Sequence, residues 1–204
     1  MTSTTTTTSS RSRRIRAVLA GGLVVGVGAA ITLAAWNDSE FASSTFTAGS
    51  FDMLGSTDGS AFANHTTGPG ATLSFTSNFD DLSPSSVTAA PFVLHLSAAT
   101  TTSATVSVNS AVGSGTAAGN LTYGIVQVAS YADCIVGATG SATIVPAGTG
   151  LSSVAGASTF TLAESVDNVV VGADTFLCIQ VTAGAGLVQG TSATGTWEFR
   201  AVSN

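Results

Sequence analysis

Two cysteines are the residues of this chain whose chemistry is the easiest to predict. Cys134 and Cys178 are the only cysteines, and the N-terminal export signal described below would place both outside the cell. There, an even number of cysteines predicts a disulfide, which would close a loop of about 45 residues and stabilise the fold by about 4 kcal/mol. We expect this bridge to hold the irregular segment 135–157, with the Cys178 sulfur pointing into the sandwich core. A catalytic thiol is the alternative, but it would need an activating partner.

Two histidines, His65 and His95, are the candidates for metal binding or acid–base chemistry. The zinc-peptidase motif H-E-x-x-H is absent, and no helical pattern would place two imidazoles on one face. His65 lies in a polar loop. His95 alternates with Leu94 and Leu96, so we predict that it faces solvent from its strand. These patterns predict no metal site, no cofactor and no catalytic residue.

Other patterns that carry chemistry are also weak. Asp80-Asp81 and Asp58-Gly59 place carboxylates in loops without the alternating spacing of a calcium loop, so solvated carboxylates are favoured and calcium binding stays open. The chain has no G-x-S-x-G elbow for serine hydrolysis and no Gly-rich turn for phosphate binding. These absences favour a protein that is not an enzyme.

The elements that would position these residues are β-strands. After the N-terminal region, apolar residues recur with a period of two, which predicts eight or nine short strands in an antiparallel β-sandwich of jelly-roll or immunoglobulin-like type. The segment 150–157 is predicted to be either a loop or a Gly-weakened edge strand. The alternating positions include Leu73, Phe75 and Phe79, then Phe92, Leu94 and Leu96, and later Phe176, Cys178, Trp197 and Phe199; the turn clusters are 57–59, 67–70, 82–86, 113–115 and 146–148.

The first 34 residues have the composition of a signal peptide. Four of the five basic residues lie between positions 11 and 16, ahead of the uncharged apolar segment 17–34. The small residues of Thr32-Leu33-Ala34 predict cleavage after Ala34, with Ala35 as the next choice. Residues 35–204 would then form one secreted domain. A retained membrane anchor and a twin-arginine signal are the alternatives.

The predicted secreted part is strongly acidic. It contains all eleven acidic residues and one basic residue, Arg200, so its net charge is 1 − 11 = −10. This charge disfavours nucleic acid and anionic lipid as partners, and it limits membrane contact to the signal segment. Because there is no lysine, covalent assembly through lysine cross-links is excluded.

The residues around the predicted junction resemble a known family. Positions 31–54 read ITLAAWNDSEFASSTFTAGSFDML, in which an apolar end and small residues precede Trp36-Asn37-Asp38 and a segment rich in Thr, Ser and Phe. This order resembles the start of the TasA/camelysin (CalY) family in its high-GC Gram-positive form. The turn Leu82-Ser83-Pro84, the strand start Ala90-Pro91-Phe92 and the ending GTWEFRAVS at 195–203 are similar to the same family.

The resemblance implies a secreted, surface-associated subunit of an extracellular fibre or biofilm matrix, whose leader is removed by a SipW-type signal peptidase. The stretch after the junction is predicted to be a strand with no uniformly apolar face, preceded by a flexible hinge at 37–44. Freed by cleavage, this strand could pair with a sheet edge of the next subunit and propagate self-association head to tail. The predicted donor strand is Phe46, Thr47, Ala48, Gly49, Ser50, Phe51, Asp52, Met53 and Leu54.

Two other functions remain open at this stage. Some members of the resembled family are described as metallopeptidases, but this chain lacks the expected ligands. A monomeric surface-binding or adhesion sandwich would use a cluster of exposed aromatic side chains, and the chain has only two Trp and two Tyr.

Overall fold

The computed structural model describes residues 10–32, 39–76 and 80–204. The chain divides into two units, Met1–Phe46 and Thr47–Asn204. In the first unit, helix α1 spans Ser10–Thr32, within the predicted signal segment. Among the described residues, no helix is long and apolar enough to cross a membrane. The predicted cleavage residues Ala34 and Ala35 and the junction motif Trp36, Asn37 and Asp38 lie outside the described residues.

The second unit contains eight strands in two antiparallel sheets, which confirms the predicted all-β sandwich. The order of the five-stranded sheet is β1-β2-β7-β4-β5, and that of the three-stranded sheet is β6-β3-β8. The strands are β1 Met53–Ser56, β2 Val87–Leu96, β3 Ala104–Ser114, β4 Leu121–Val128, β5 Ala142–Gly150, β6 Phe160–Leu162, β7 Thr175–Ala183 and β8 Thr194–Ser203.

The main core lies between the two sheets and is built from alternating strand residues. In β7, for example, Leu177, Ile179 and Val181 all face this core. Branched aliphatic residues suit both the strand backbone and the interior, and each one that is fully buried contributes about 1.5–3 kcal/mol. The hydroxyl of the core residue Tyr123 is satisfied because it donates to the Ser153 carbonyl oxygen at 2.7 Å.

The connecting loops collect at two ends of the sandwich. At one end, β3 begins opposite the end of β8 and the end of β6, so loop 97–103, loop 163–174 and the C-terminus lie together. We call this the Thr100 end. At the opposite end, which we call the Asn120 end, loop 184–193 meets loop 115–120 through the hydrogen bond from Gly184 N to Asn120 O at 2.7 Å.

The first strand lies later in the chain than the sequence predicted. The prediction was a strand over 46–54, but β1 covers only Met53–Ser56, and residues 46–52 form no strand apart from a single bridge at Ser50. The physical reason is the length of the partner strand. β2 ends at Leu96, opposite Met53, and the chain then turns away.

Two predicted turns also lie within strands. The cluster 146–148 is part of β5, an edge strand with two register shifts against β4, where a proline is tolerated. β3 continues to Ser114, and the turn begins at Gly115, where φ is +93° and a Cβ would lie 2.4 Å from the Ser192 carbonyl oxygen. After Gly150 the chain forms turns and loop until β6. Leu73 and Phe75 pack against the core without forming a strand, and Phe79 lies outside the described residues.

Candidate functional site

The predicted disulfide between Cys134 and Cys178 is present, with Cα atoms 5.0 Å apart. The sulfur of Cys178 does not point into the main core as predicted. Cys178 alternates with Leu177 and Ile179, which face that core, so its side chain lies on the outer face of the five-stranded sheet, in a small cluster with Ala89. Because β7 is buried on both faces, the alternation of apolar residues alone does not identify the face of the main core.

The bridge holds the chain that crosses this outer face. Next to it, Gly137 N donates to the Gln180 side-chain oxygen, and the Gln180 amide donates to the Ala138 carbonyl oxygen, both at 2.8 Å. The bridge does not hold all of the predicted segment 135–157, because β5 lies within this segment and is held by pairing with β4. Since buried disulfides persist where thiols are not reduced, the bridge indicates a non-reducing environment for the domain.

Loop 57–63 also covers part of the outer face of the five-stranded sheet, and hydrogen bonds to Asp58 define the conformation of this loop. The Asp58 Oδ1 atom accepts hydrogen bonds from Ala61 N at 2.7 Å, Ser60 N at 2.8 Å and the Ser56 hydroxyl at 2.9 Å. These bonds, the one from Ala61 first, hold the pKa of Asp58 well below its usual range. The carboxylate therefore stabilises the turn of this loop.

His95 is buried, and the prediction that it faces solvent is wrong: only 4% of the residue is exposed. Its Nδ1 atom lies 2.8 Å from Asp174 Oδ1, and its ring stacks on Phe62 with ring centroids 3.9 Å apart. Loop 57–63 returns to β1 through two 3.0 Å backbone hydrogen bonds between Gly55 and Ala63, which brings Phe62 over the histidine. These contacts attach loop 57–63 and loop 163–174 to β2.

The remaining polar candidates are exposed and separate. His65 is exposed, as predicted, and so are Asp80 and Asp81. Within residues 10–32, 39–76 and 80–204, no group of three or more His, Cys, Asp or Glu side chains is placed to hold a metal ion.

The chain enters the domain through an anchor at Ser50 and Asp52. Thr101 N donates to the Ser50 carbonyl oxygen at 3.2 Å, and Ser97 N donates to the Asp52 carbonyl oxygen at 2.9 Å. The Thr100 hydroxyl accepts a hydrogen bond from Asp52 N at 3.0 Å and donates to the Asp52 carbonyl oxygen at 3.2 Å. Because Thr100 is completely buried, this anchor belongs to the folded domain.

Residues 39–49, immediately upstream of the anchor, are exposed and form neither helix nor strand. Phe41 is 97% exposed and Phe46 is 91% exposed. Burial of a phenylalanine side chain is favourable by about 1.5–3 kcal/mol, so this segment offers apolar surface to a binding partner. If the segment became extended, Phe46 would share a face with Ala42 and Ala48, whereas Phe41 would lie on the more polar face.

β8 is the longest open strand edge in the part of the chain that the structure describes. It has ten residues and pairs with β3 along one side only. β1 and β6 are short edge strands of four and three residues. The edge of β5 contains Pro146 and is partly covered, because Ser158 N donates to Ile144 O at 2.7 Å. An unpaired edge without proline is a template for an added strand.

A cleft of about 120 Å³ opens between the sheets beside β8. The inward-facing side chains of β8, Trp197 and Phe199, are only half-buried although they pack against the core. Trp197 Nε1 is buried and, among the described residues, has no hydrogen-bond partner. The residues that the structure describes therefore cover the sandwich incompletely at this edge. The residues lining the cleft are Phe75, Leu82, Thr88, Leu121, Leu151, Val181, Ala193, Gly195 and Trp197.

The outward-facing side of β8 is polar. The Glu198 carboxylate accepts hydrogen bonds from the Asn109 amide at 2.8 Å and the Ser110 hydroxyl at 2.9 Å, and these two bonds lower its pKa. Arg200 lies on the same face, two residues along the strand. A strand added beside β8 would thus cover apolar side chains on one face and leave charged groups in water on the other.

Comparisons with known proteins assign no family to the chain. No protein-family model matches it, and no curated protein is significantly similar to it.

Sequence reasoning missed the two residues that organise these contacts, Thr100 and Asp174. Thr100 lies in the polar run Thr100-Thr101-Thr102, which is typical of an exposed turn, and no local signal marks one hydroxyl as buried. Asp174 is 79 residues from His95 in the chain, so only the folded sheet brings the two together.

Proposed function

We propose that the protein is a secreted structural protein of the cell surface or extracellular matrix, whose mature subunits join head to tail into fibres. In this proposal the segment upstream of Ser50 leaves its own subunit and adds as a strand to β8 of the next one. The observation that carries the proposal is the ten-residue edge of β8, beside which no described residue pairs, in a chain that also has an exposed segment without secondary structure, residues 39–49. Backbone hydrogen bonds would supply affinity, and alternate side chains would set the register.

The donor segment 39–49 and the acceptor strand β8 have similar lengths. Eleven residues span up to about 36 Å when extended, and a ten-residue strand is about 34 Å long. In the register that faces the cleft, Phe46 would bury its ring beside Trp197, and the small side chains of Ser44 and Ala48 would fit the flanking positions. Since donor segment and acceptor edge are different surfaces, the contact is heterologous and repeats instead of closing into a dimer.

Export and leader removal are part of the proposal. The arginine-rich start, the apolar segment and the resemblance of residues 31–54 to the TasA/camelysin family support cleavage near Ala34 by a SipW-type signal peptidase. The disulfide agrees with this, because its environment is non-reducing. N-terminal sequencing of protein from the culture medium should begin at Ala35 or Trp36. Recovery of uncleaved chain in the membrane fraction would contradict this part.

Assembly is tested with a truncation that keeps the whole sandwich and its anchor. Residues 35–204 and residues 50–204 are purified, and both are followed by electron microscopy and sedimentation. We expect fibres from the longer protein only, with equal thermal stability for both, because Ser50 and Asp52 retain their contacts. If residues 50–204 assemble as well as residues 35–204, donation of the upstream segment is wrong.

A peptide provides the matched control. A synthetic peptide of residues 36–49 should bind residues 50–204 and slow amide hydrogen exchange along β8. The Phe46→Ser peptide should bind about tenfold more weakly or worse, since burial of the ring is lost, whereas Phe41→Ser should bind like the parent. Equal effects of the two substitutions would contradict the assigned register.

We also propose that the protein is not a peptidase, because the described histidines are separate and one is enclosed between Asp174 and Phe62. Pure protein should not cleave casein. Chelator-sensitive cleavage that is lost in His65→Ala or His95→Ala would favour the metallopeptidase alternative. A mature chain that stays monomeric at high concentration but adheres to cells would favour the adhesion alternative.

A further inference from the structure

A small hairpin in loop 163–174 places four valines in solvent. Val166, Val169, Val170 and Val171 are 59%, 77%, 56% and 41% exposed. We call this group the valine tip. It follows β6, which is the edge strand on the other side of the three-stranded sheet from β8. Contiguous aliphatic side chains on the surface of a secreted, acidic domain mark a surface that another molecule covers.

Hydrogen bonds define the conformation of the valine tip. Val166 N donates to Val170 O at 3.0 Å and Val170 N donates to Val166 O at 3.1 Å, which closes the hairpin around Asp167 and Asn168, both with positive φ. At its base, the Ser165 hydroxyl donates to Thr100 O at 2.8 Å. The apolar surface is therefore preorganised, so that binding would cost little conformational entropy.

The position of the tip identifies its partner. Ser165 binds the same residue, Thr100, that anchors Asp52, so the tip stands beside the point where the upstream segment leaves the domain. If that segment is donated to the next subunit, the tip lies at the junction between the two subunits. A donated segment that runs antiparallel to β8 ends beside Thr194, where β8 begins, so the surface that the next subunit turns toward this junction is its Asn120 end.

The Asn120 end suits contact with the valine tip because it is uncharged and exposes an apolar side chain. Loops 115–120 and 184–193 contain no charged residue, and Val188 in the second loop is 61% exposed. Glu164 and Asp167 border the tip, so contact between two valine tips would bring like charges together. Contact between the tip and the uncharged Asn120 end avoids this repulsion.

We propose that the valine tip of one subunit packs against Val188 at the Asn120 end of the next subunit, as a second contact within the fibre. This inference rests on the proposed function. The exposed area of four valines is on the order of a few hundred Å², below the roughly 800 Å² per partner of a stable interface. The contact therefore depends on the donated segment, which tethers the subunits at an effective concentration on the order of millimolar.

Cysteine cross-linking in the mature chain tests the proposal. The Val169→Cys/Val188→Cys protein, assembled and then mildly oxidised, should give a ladder of disulfide-linked oligomers on non-reducing gels. The native disulfide does not interfere because Cys134 and Cys178 are 5% and 0% exposed. The Val136→Cys/Val188→Cys protein is the matched control, since Val136 is half-exposed but lies on the outer face of the five-stranded sheet; it should give no ladder.

A second variant measures how much the contact contributes. Val169→Ser/Val170→Ser should raise the protein concentration needed for assembly about tenfold, since about 1.4 kcal/mol of apolar burial is lost, while the thermal stability of the subunit stays unchanged. Val136→Ser should leave assembly unchanged. Fibres without a specific ladder, or with unchanged assembly of the serine variant, would overturn this contact and leave strand donation intact. Failure of the parent chain to form fibres would overturn both.

Discussion

Removal of the disulfide should strongly destabilise the domain. The bridge joins residues 44 positions apart and both sulfurs are buried. For a closed loop of about 45 residues, the chain-entropy relation predicts a loss of about 4 kcal/mol. For a domain of this size, 1 kcal/mol corresponds to about 2–4 °C, so the Cys134→Ala/Cys178→Ala protein should melt about 8–16 °C lower.

The assay is urea unfolding of residues 35–204 with and without the two alanine substitutions, each in the presence and absence of a reductant. The protein with both cysteines should lose about 4 kcal/mol when it is reduced, and the double-alanine protein should not respond to the reductant. The second comparison separates the bridge from the small cavities that the substitutions leave. A loss of less than about 1 kcal/mol on reduction would mean that the chain between the cysteines stays ordered when unfolded, and would refute the argument from chain entropy.

Three further predictions concern the loops and the anchor. His95→Ala should cost about 2–4 kcal/mol in urea unfolding, because it removes the stack on Phe62 and the bond to Asp174; a change below about 0.5 kcal/mol would contradict a structural role. Hydrogen bonds depress the pKa of Asp58, so the stability that it gives loop 57–63 is complete above its ordinary pKa near 4 and is lost as pH falls below that. The protection of the amides of this loop, measured as exchange relative to an unstructured chain at the same pH, should therefore fall on acidification, and Asp58→Ala should abolish that dependence. Thr100→Val should speed exchange of the Asp52 amide about tenfold or more, while Thr100→Ser should not; equal exchange in both would mean that the hydroxyl does not hold the anchor.

The fold was predictable because it depends on local patterns that each strand carries by itself. Alternation over residues 92–96 and 176–181 identifies strands, and the turn cluster at 57–59 lies between elements in the structure as predicted. The disulfide was predictable from the number of cysteines and the predicted export signal. The face on which the Cys178 side chain lies was not predictable. In a central strand that is buried on both faces, alternation does not show which face is turned toward the main core.

The sequence by itself determined an acidic all-β domain with one disulfide, because composition, period and cysteine count are properties of the chain that need no knowledge of contacts. Only the tertiary structure decided that His95 is covered by Phe62, that Thr100 anchors Asp52 and that β8 pairs along one side only within the described part of the chain. These features depend on which segments meet after folding. Phe62 and Asp174 are 33 and 79 residues from His95 along the chain, and Asp52 is 48 residues from Thr100. Period-two alternation specifies the two faces of a strand, but it says nothing about which loop covers the outer face or which edge lacks a neighbour.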